Sequence, residues 1–216
     1  MSTNLNRIRQ FFIDAGYKEA TLDKWQTSSV YLSSMIMEYA HQDQKRANGE
    51  DYAMHPTRAC ENYRNLIGYI HGDLFSVDVD LLLNHDIPYL GVQEVCLLHD
   101  VVEDTDFAIE DVREIFYECG FKDYFEQYIC IPLLKVTHIK EVDYQEYIED
   151  LLNTPAAAMV KMMDLQDNLR VIDLTKFNTW AFERAERYLK YIKQINDRHH
   201  FLEKVHRYRK DFNKAE

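Results

Sequence analysis

Glycine and proline are scarce in this chain, with 6 and 4 among 216 residues. So few leave little room for tight turns and argue for long helices. Long apolar runs are missing too: nothing approaches the roughly 18 uninterrupted apolar residues of a membrane span. Met1 to Phe12 carries charges and no apolar stretch, so it does not read as a signal peptide. Positive charge is in deficit, with 25 Lys and Arg against 37 Asp and Glu and a net charge of −12. That balance disfavours nucleic acid and anionic membrane as partners. A small anionic substrate stays open, because a metal and a few cations reverse the local potential. The four cysteines, at 60, 96, 119 and 130, include no C-x-x-C pair and read as reduced, buried thiols. The expected compartment is the cytoplasm.

What is present is ordinary for a globular protein: 46% hydrophobic and 29% charged residues, over a length that suits one domain, residues 1–216. The 15 Tyr and 11 Phe point to an aromatic-rich core with some rings left for a pocket. Apolar spacing predicts helices over Leu5–Ala15, Leu22–Ala47, His55 to about His71, and Val92–Val102. Further helices are expected at Ile109–Glu118, Tyr124–Val136 and Tyr144–Leu152. A long one runs from Thr154-Pro155 through Leu174, with Thr as cap and Pro in the first turn. Thr179–Ile195 and Asn196–Phe212 finish the chain. Asn48-Gly49 reads as a helix stop. Residues 73–91 form the least regular segment, and the basic-rich stretch Glu183–Lys214 reads as a solvated helix face.

Three segments carry chemistry. In Cys96-Leu97-Leu98-His99-Asp100-Val101-Val102-Glu103-Asp104-Thr105, helical spacing sets His99 with Glu103 and Asp100 with Asp104, four ionisable groups along one edge. Such groups in an apolar helix need a partner, and a metal supplies one. In Val160-Lys161-Met162-Met163-Asp164-Leu165-Gln166-Asp167-Asn168-Leu169-Arg170, one face holds Lys161, Asp164 and Asn168. Taken alone, Asp164 is an acid paired with Lys161 or Arg170. The third segment, Lys45 to Pro56, puts His55 at a helix start after a loop bearing two cations. A bare His-Asp pair means little, since His85-Asp86 repeats it in the irregular segment with no acidic pair following.

The patterns Arg46-x-x-Gly49-Glu50-x-Tyr52-x-x-His55-Pro56, Leu97 to Thr105, Tyr147-Ile148, Pro155, Val160-Lys161 and Asp164-x-x-x-Asn168-x-Arg170 occur in order. Together they resemble the hydrolase domain of RelA/SpoT-type enzymes, especially the stand-alone small alarmone hydrolases, within the HD superfamily of metal-dependent phosphohydrolases. The resemblance covers about residues 40–171. It implies an all-α HD-type helical bundle that removes the 3′-pyrophosphate of guanosine tetra- or pentaphosphate, yielding GDP or GTP and pyrophosphate. It also implies that His55, His99, Asp100 and Asp164 hold one divalent metal, manganese in the family. On chemical grounds zinc stays open as well.

By the same resemblance, Glu103 and Asp104 position or deprotonate the attacking water. Lys45 and Arg46 would contact the nucleotide, while Lys161, Asn168 and Arg170 would shape the pocket and steady Asp164. Some features depart from the family: a longer gap between His55 and His99, Val171 in place of a small hydroxyl residue, Met162-Met163, and Asp167. These bear on substrate identity. Two other readings therefore stand beside the first. One is an HD-type phosphatase or nucleotidase acting on another nucleotide, such as a nucleoside monophosphate or NADP. The other is a nucleotide-binding HD module without turnover. A homo-oligomer also stays open.

Overall fold

Short polar side chains begin several helices, where the first backbone N–H groups have no intrahelical acceptor. Asp78 accepts from the Leu81 N–H at 2.9 Å, Asp143 from Gln145 at 2.9 Å, and Asn178 from Trp180 at 3.0 Å. In this computed structural model the described residues are 3–68, 77–172 and 178–215. Their elements are α1 (Thr3–Asp14), α2 (Glu19–Trp25), α3 (Ser29–Ala40), α4 (Met54–Gly68), α5 (Val79–Asn84), α6 (Val92–Leu98) and α7 (Val101–Asp104). There follow α8 (Ile109–Glu118), α9 (Lys122–Tyr124), a π-helical turn (Phe125–Ile129), α10 (Cys130–Val136), α11 (Tyr144–Leu151), α12 (Pro155–Arg170), α13 (Thr179–His199) and α14 (Phe201–Ala215). Among the described residues no strand forms, and a lone antiparallel bridge joins Lys45 to Asp51. The all-α expectation holds.

Helix α12 is the axis of the molecule. It packs against α4, α6, α10, α11 and α13. Its residues Ala157 to Leu165 are all buried, so neighbours surround it on nearly every side. Helices α3, α4 and α6 complete the wall on one flank, while α13 covers the other. Cys60, Cys96 and Cys130 are buried and Cys119 is partly exposed, all four as free thiols. No helix of the described residues is long and apolar enough to cross a membrane.

Several boundaries differ from the sequence reading. The helix expected over 22–47 is two, because Ser28 takes an extended conformation and caps α3. Apolar spacing continues through that break and hides it. The second of these helices ends at Ala40, and Asn48-Gly49 is instead the tip of the following loop, with Gly49 at φ +86°. Thr154 makes no side-chain cap bond, so the start of α12 rests on Pro155 alone. The expected ends of the helices at His71 and Leu174 lie outside the described residues, as do residues 73–76 of the irregular segment. Its described part contains the short helix α5. The last break falls at His200, in the left-handed region at φ 54°, rather than at Ile195.

Pro132 cannot donate to the Tyr128 carbonyl four residues back, and the coil widens there into the π-helical turn. Gly91, at φ +79°, opens α6 directly against that carbonyl: an added Cβ would lie 2.2 Å from the Tyr128 oxygen. Both the backbone conformation and the contact exclude a side chain. Gly91→Ala should therefore lower stability by about 2–4 kcal/mol in urea unfolding. A loss under about 0.5 kcal/mol, the ordinary surface range, would show that the contact is not tight.

Candidate active site

Three helix ends and one helix middle deliver the residues singled out as ligands. His55 lies in the first turn of α4, His99 and Asp100 at the joint between α6 and α7, and Asp164 midway along α12. The sequence reading placed His99 and Asp100 inside one continuous helix; the chain breaks at those two residues instead. His99 Nε2 reaches toward Asp164 on α12, while Asp100 lies 3.2 Å from His99 Nε2 and 3.5 Å from His55 Nε2. His55, His99 and Asp100 each offer a ligand atom, all within 4.8 Å of one another, and this group could hold a metal ion. Asp164 Oδ1 lies 3.0 Å from His55 Nε2 and 3.8 Å from His99 Nε2. All four residues are buried.

The second nitrogen of each imidazole decides what the first can do. His99 Nδ1 sits 2.8 Å from the Cys96 carbonyl, which only accepts, so Nδ1 carries the proton. The buried Nε2 makes no hydrogen bond but lies 3.2 Å from Asp100 Oδ1; burial would lower the His99 pKa, and the charges of Asp100 and Asp164 raise it. His55 Nδ1 sits 2.7 Å from the Asp167 carboxylate, which puts its proton there too. Its Nε2 faces Asp164 at 3.0 Å and Asp100 at 3.5 Å. A lone pair aimed at two carboxylates needs a cation between them, either a second proton or a metal. Burial alone would lower the His55 pKa, but hydrogen bonds to Asp164 and Asp167 and the charge of Asp164 raise it to about 9. Burial would raise Asp164, yet the Lys161 charge and the two imidazoles hold it well below the carboxylate range.

The outer ring of partners is dense. Lys161 Nζ pairs with Asp164 Oδ2 at 2.7 Å, and its ammonium lies 5.9 Å and 5.5 Å from the Tyr144 and Tyr147 ring centres. Asn168 donates to Asp164 Oδ1 at 2.5 Å and accepts from Arg46 at 2.6 Å. Asp167 joins three elements: besides His55 it accepts from Arg58 Nε at 2.6 Å and Arg46 at 3.1 Å. Arg58 in turn forks onto Glu50 at 2.6 and 2.9 Å. The sequence reading missed Asp167 and Arg58 as parts of the site. The signal available was the spacing of Asp167, three residues beyond Asp164 on the same helix.

The acidic pair does not share one edge as expected. Asp100 and Asp104 do lie together, both within reach of the Tyr52 hydroxyl at 2.9 and 2.7 Å. Glu103 instead accepts from the His138 backbone N–H at 2.9 Å. Burial raises its pKa above the usual carboxylate value.

Two cavities adjoin this network. One of about 550 Å³ is lined by Lys45, Arg46, Tyr52, Val171, Trp180 and Arg184, among others. A second of about 300 Å³ is lined by Tyr144, Lys161, Asp164, Asn168, Arg187 and Tyr188. Lys45 is exposed and paired with Asp51 at 2.5 Å. Arg170 is exposed and lines neither cavity. Arg184 lies between the Trp180 and Tyr188 rings, 5.0 and 5.3 Å from their centres. The basic stretch from Glu183, read as a solvated face, thus turns at least two cations into the site. Their i, i+3 and i, i+4 spacing was visible, but nothing in the sequence says which face of α13 is covered.

The described residues form an all-α bundle that brings two imidazoles and two carboxylates around one point. No protein-family model matches the chain. Guanosine-3′,5′-bis(diphosphate) 3′-pyrophosphohydrolase MESH1 of Drosophila melanogaster is 33% identical over 112 residues, which is 50% of this chain and 58% of that protein. The human protein of the same name is 26% identical over 121 residues, 55% of this chain and 65% of its own length. Guanosine-3′,5′-bis(diphosphate) 3′-pyrophosphohydrolase of Aquifex aeolicus is 26% identical over 147 residues, 68% of this chain but 17% of that protein. The chain thus spans less than two thirds of each of these relatives. A solved structure of a metazoan ortholog of SpoT, described as hydrolysing ppGpp, superposes with a TM-score of 0.51 at 23% identity, covering 85% of this chain and 95% of that one. The likeness establishes a shared fold.

Asp167 gives this site a signature in acid. Burial would raise its pKa, but His55 and Arg58 hold it at about 2 in the folded protein. The unfolded value is about 3.9, so its stabilising pairing is complete above that pH and is lost as the pH falls toward the folded value. Thermal unfolding of wild type and Asp167→Asn across this range should show their stability gap close on acidification. A gap independent of pH would place the carboxylate outside the ion-pair network.

Proposed function

We propose that this protein hydrolyses the 3′-pyrophosphate of guanosine tetra- or pentaphosphate, giving GDP or GTP and pyrophosphate. The observation that carries the reading is the buried His55, His99, Asp100 and Asp164 cluster beside cavities lined by Arg46, Lys161, Arg184 and Arg187. The names of the sequence relatives support the same substrate. The donor set suits one divalent cation, which we take to be manganese, and the site of action to be the cytoplasm. Such a cation lowers the pKa of water and draws charge from a phosphoryl oxygen.

The chain's own residues do the rest. In the reaction, water adds to the phosphorus beside the ribose 3′ oxygen. The bond to that oxygen breaks, and the oxygen takes up a proton as pyrophosphate leaves. In this reading Glu103, its pKa raised by burial and its carboxylate held by the His138 N–H, would take the proton of the attacking water. Asp104, held by Tyr52, keeps the acidic side of the site in register. Lys45, Arg46 and Arg184 face the larger cavity and suit a nucleotide with its 5′ phosphates, while Lys161 and Arg187 suit the 3′ diphosphate. Asn168, in the wall of the smaller cavity, steadies both Asp164 and Arg46. Arg170, expected to help shape the pocket, is exposed and lines neither cavity.

A product assay with added manganese tests this on guanosine tetraphosphate and a panel of ordinary nucleotides. The expected result is GDP and pyrophosphate from the tetraphosphate. His99→Ala and Asp100→Ala should lose the ion, whereas Glu103→Ala should keep it and slow turnover by about 10²–10⁴-fold. Orthophosphate from a nucleoside monophosphate or NADP would move the function to a nucleotidase on the same metal site. A Glu103→Ala enzyme at the wild-type rate would refute the base assignment.

A further inference from the structure

Beyond the four ligand candidates and the acidic pair, a third imidazole is built in the same way. His41 ends α3 and is only 2% exposed. Its Nδ1 lies 2.6 Å from Gln44 Oε1. The orientation of that amide is settled independently, because Gln44 Nε2 donates to the Asp104 carbonyl at 2.7 Å. Oε1 therefore faces His41, and an amide oxygen only accepts, so the imidazole proton is on Nδ1. Burial disfavours the charged ring. The neutral ring has a bare Nε2, and that buried atom has no hydrogen-bond partner.

His41 shares with His55 and His99 an Nδ1–H tied to an acceptor, but where their Nε2 atoms face carboxylates, its own is left with a free lone pair. His41 also belongs to the same neighbourhood. Its ring lies flat against Tyr52, with centres 4.7 Å apart and an angle of 18°. The Tyr52 hydroxyl reaches Asp100 and Asp104, and His41 senses the charges of Asp100, His99 and Asp104. Tyr52 cannot serve Nε2 itself, since its single proton already faces two carboxylates. Nor does His41 belong to the group of ligand atoms within 4.8 Å of one another. A buried acceptor one step outside the ligand group, with no protein donor, calls for a water.

We propose that His41 is a further residue of the reaction, its bare Nε2 accepting a hydrogen bond from the attacking water. This rests on the hydrolase reading above. Together with Glu103, His41 then fixes the water from two sides, one group taking its proton and the other orienting it.

The test has one arm that needs no substrate. Proton–nitrogen correlation spectra of histidine-labelled, cadmium-loaded protein report tautomer and ligation at each ring. The expected pattern is Nδ1–H for His41, His55 and His99, with cadmium coupling to Nε2 of His55 and His99 only. A His41 proton on Nε2, or cadmium coupling at His41, overturns the proposal. The second arm compares His41→Phe, which keeps the stack on Tyr52, with His41→Gln. Both should bind manganese as the wild type does and hold KM within about twofold, while kcat falls by about 10²-fold. Wild-type kcat in either folded variant, or a tenfold loss of manganese affinity, overturns it. If the wild type cleaves no nucleotide, the hydrolase reading fails, while the tautomer result still decides the state of His41.

Discussion

Asp164 is a carboxylate in the middle of a helix buried on nearly all sides, and the rest of the structure answers to it. A lone ionised carboxylate there would be too costly to keep. The fold surrounds it with Lys161, Asn168, His55 and His99, each brought by a different turn of α12 or a different helix. His99 and Asp100, at the joint of α6 and α7, keep right-handed helical backbone; His99 faces Asp164, and Asp100 faces the two imidazoles. Lys161 satisfies one oxygen of Asp164 and leaves the other facing the imidazoles, which is the arrangement a metal centre needs.

Around this point the polar groups form chains rather than pairs. One runs from Glu50 through Arg58 and Asp167 to His55, and fixes which nitrogen of His55 carries its proton. Another runs from His41 through Gln44 to the backbone of Asp104, and from Tyr52 to Asp100 and Asp104. The loop between α3 and α4 supplies Gln44, Arg46, Glu50 and Tyr52, so this irregular segment is as much part of the site as the helices. Helix α13 closes the opposite side with Trp180, Arg184, Arg187 and Tyr188. A net acidic protein thus offers a cationic lining where a polyphosphate would sit.

Much of this was legible in the residues themselves. Scarce glycine and proline and 3.6-residue spacing pointed to helices, and α8 is found where the spacing put it. The cluster of ligand candidates could be read because His99-Asp100 and Asp164 sit in apolar stretches where a charge needs a reason. Helix breaks were less legible. Apolar spacing runs unbroken across Ser28 and across His99-Asp100, so it does not show where one helix ends and the next begins. Asp167, Arg58 and His41 were hidden for another reason. Each acts through one nitrogen or oxygen of a neighbour distant in sequence, and no local pattern encodes such a partner. Arg170 is the converse case: it follows the motif, yet the end of α12 turns it to solvent.

The buried His and Asp side chains are proposed to form one site for a divalent ion. The most direct measurement is a manganese titration of chelator-treated protein, followed by calorimetry and by thermal unfolding, on wild type and Asp164→Asn. One ion bound per chain, with a melting temperature that climbs with ion concentration in the wild type and not in the variant, is the predicted result. Equal binding by the two proteins, or a melting temperature indifferent to the ion, would contradict it.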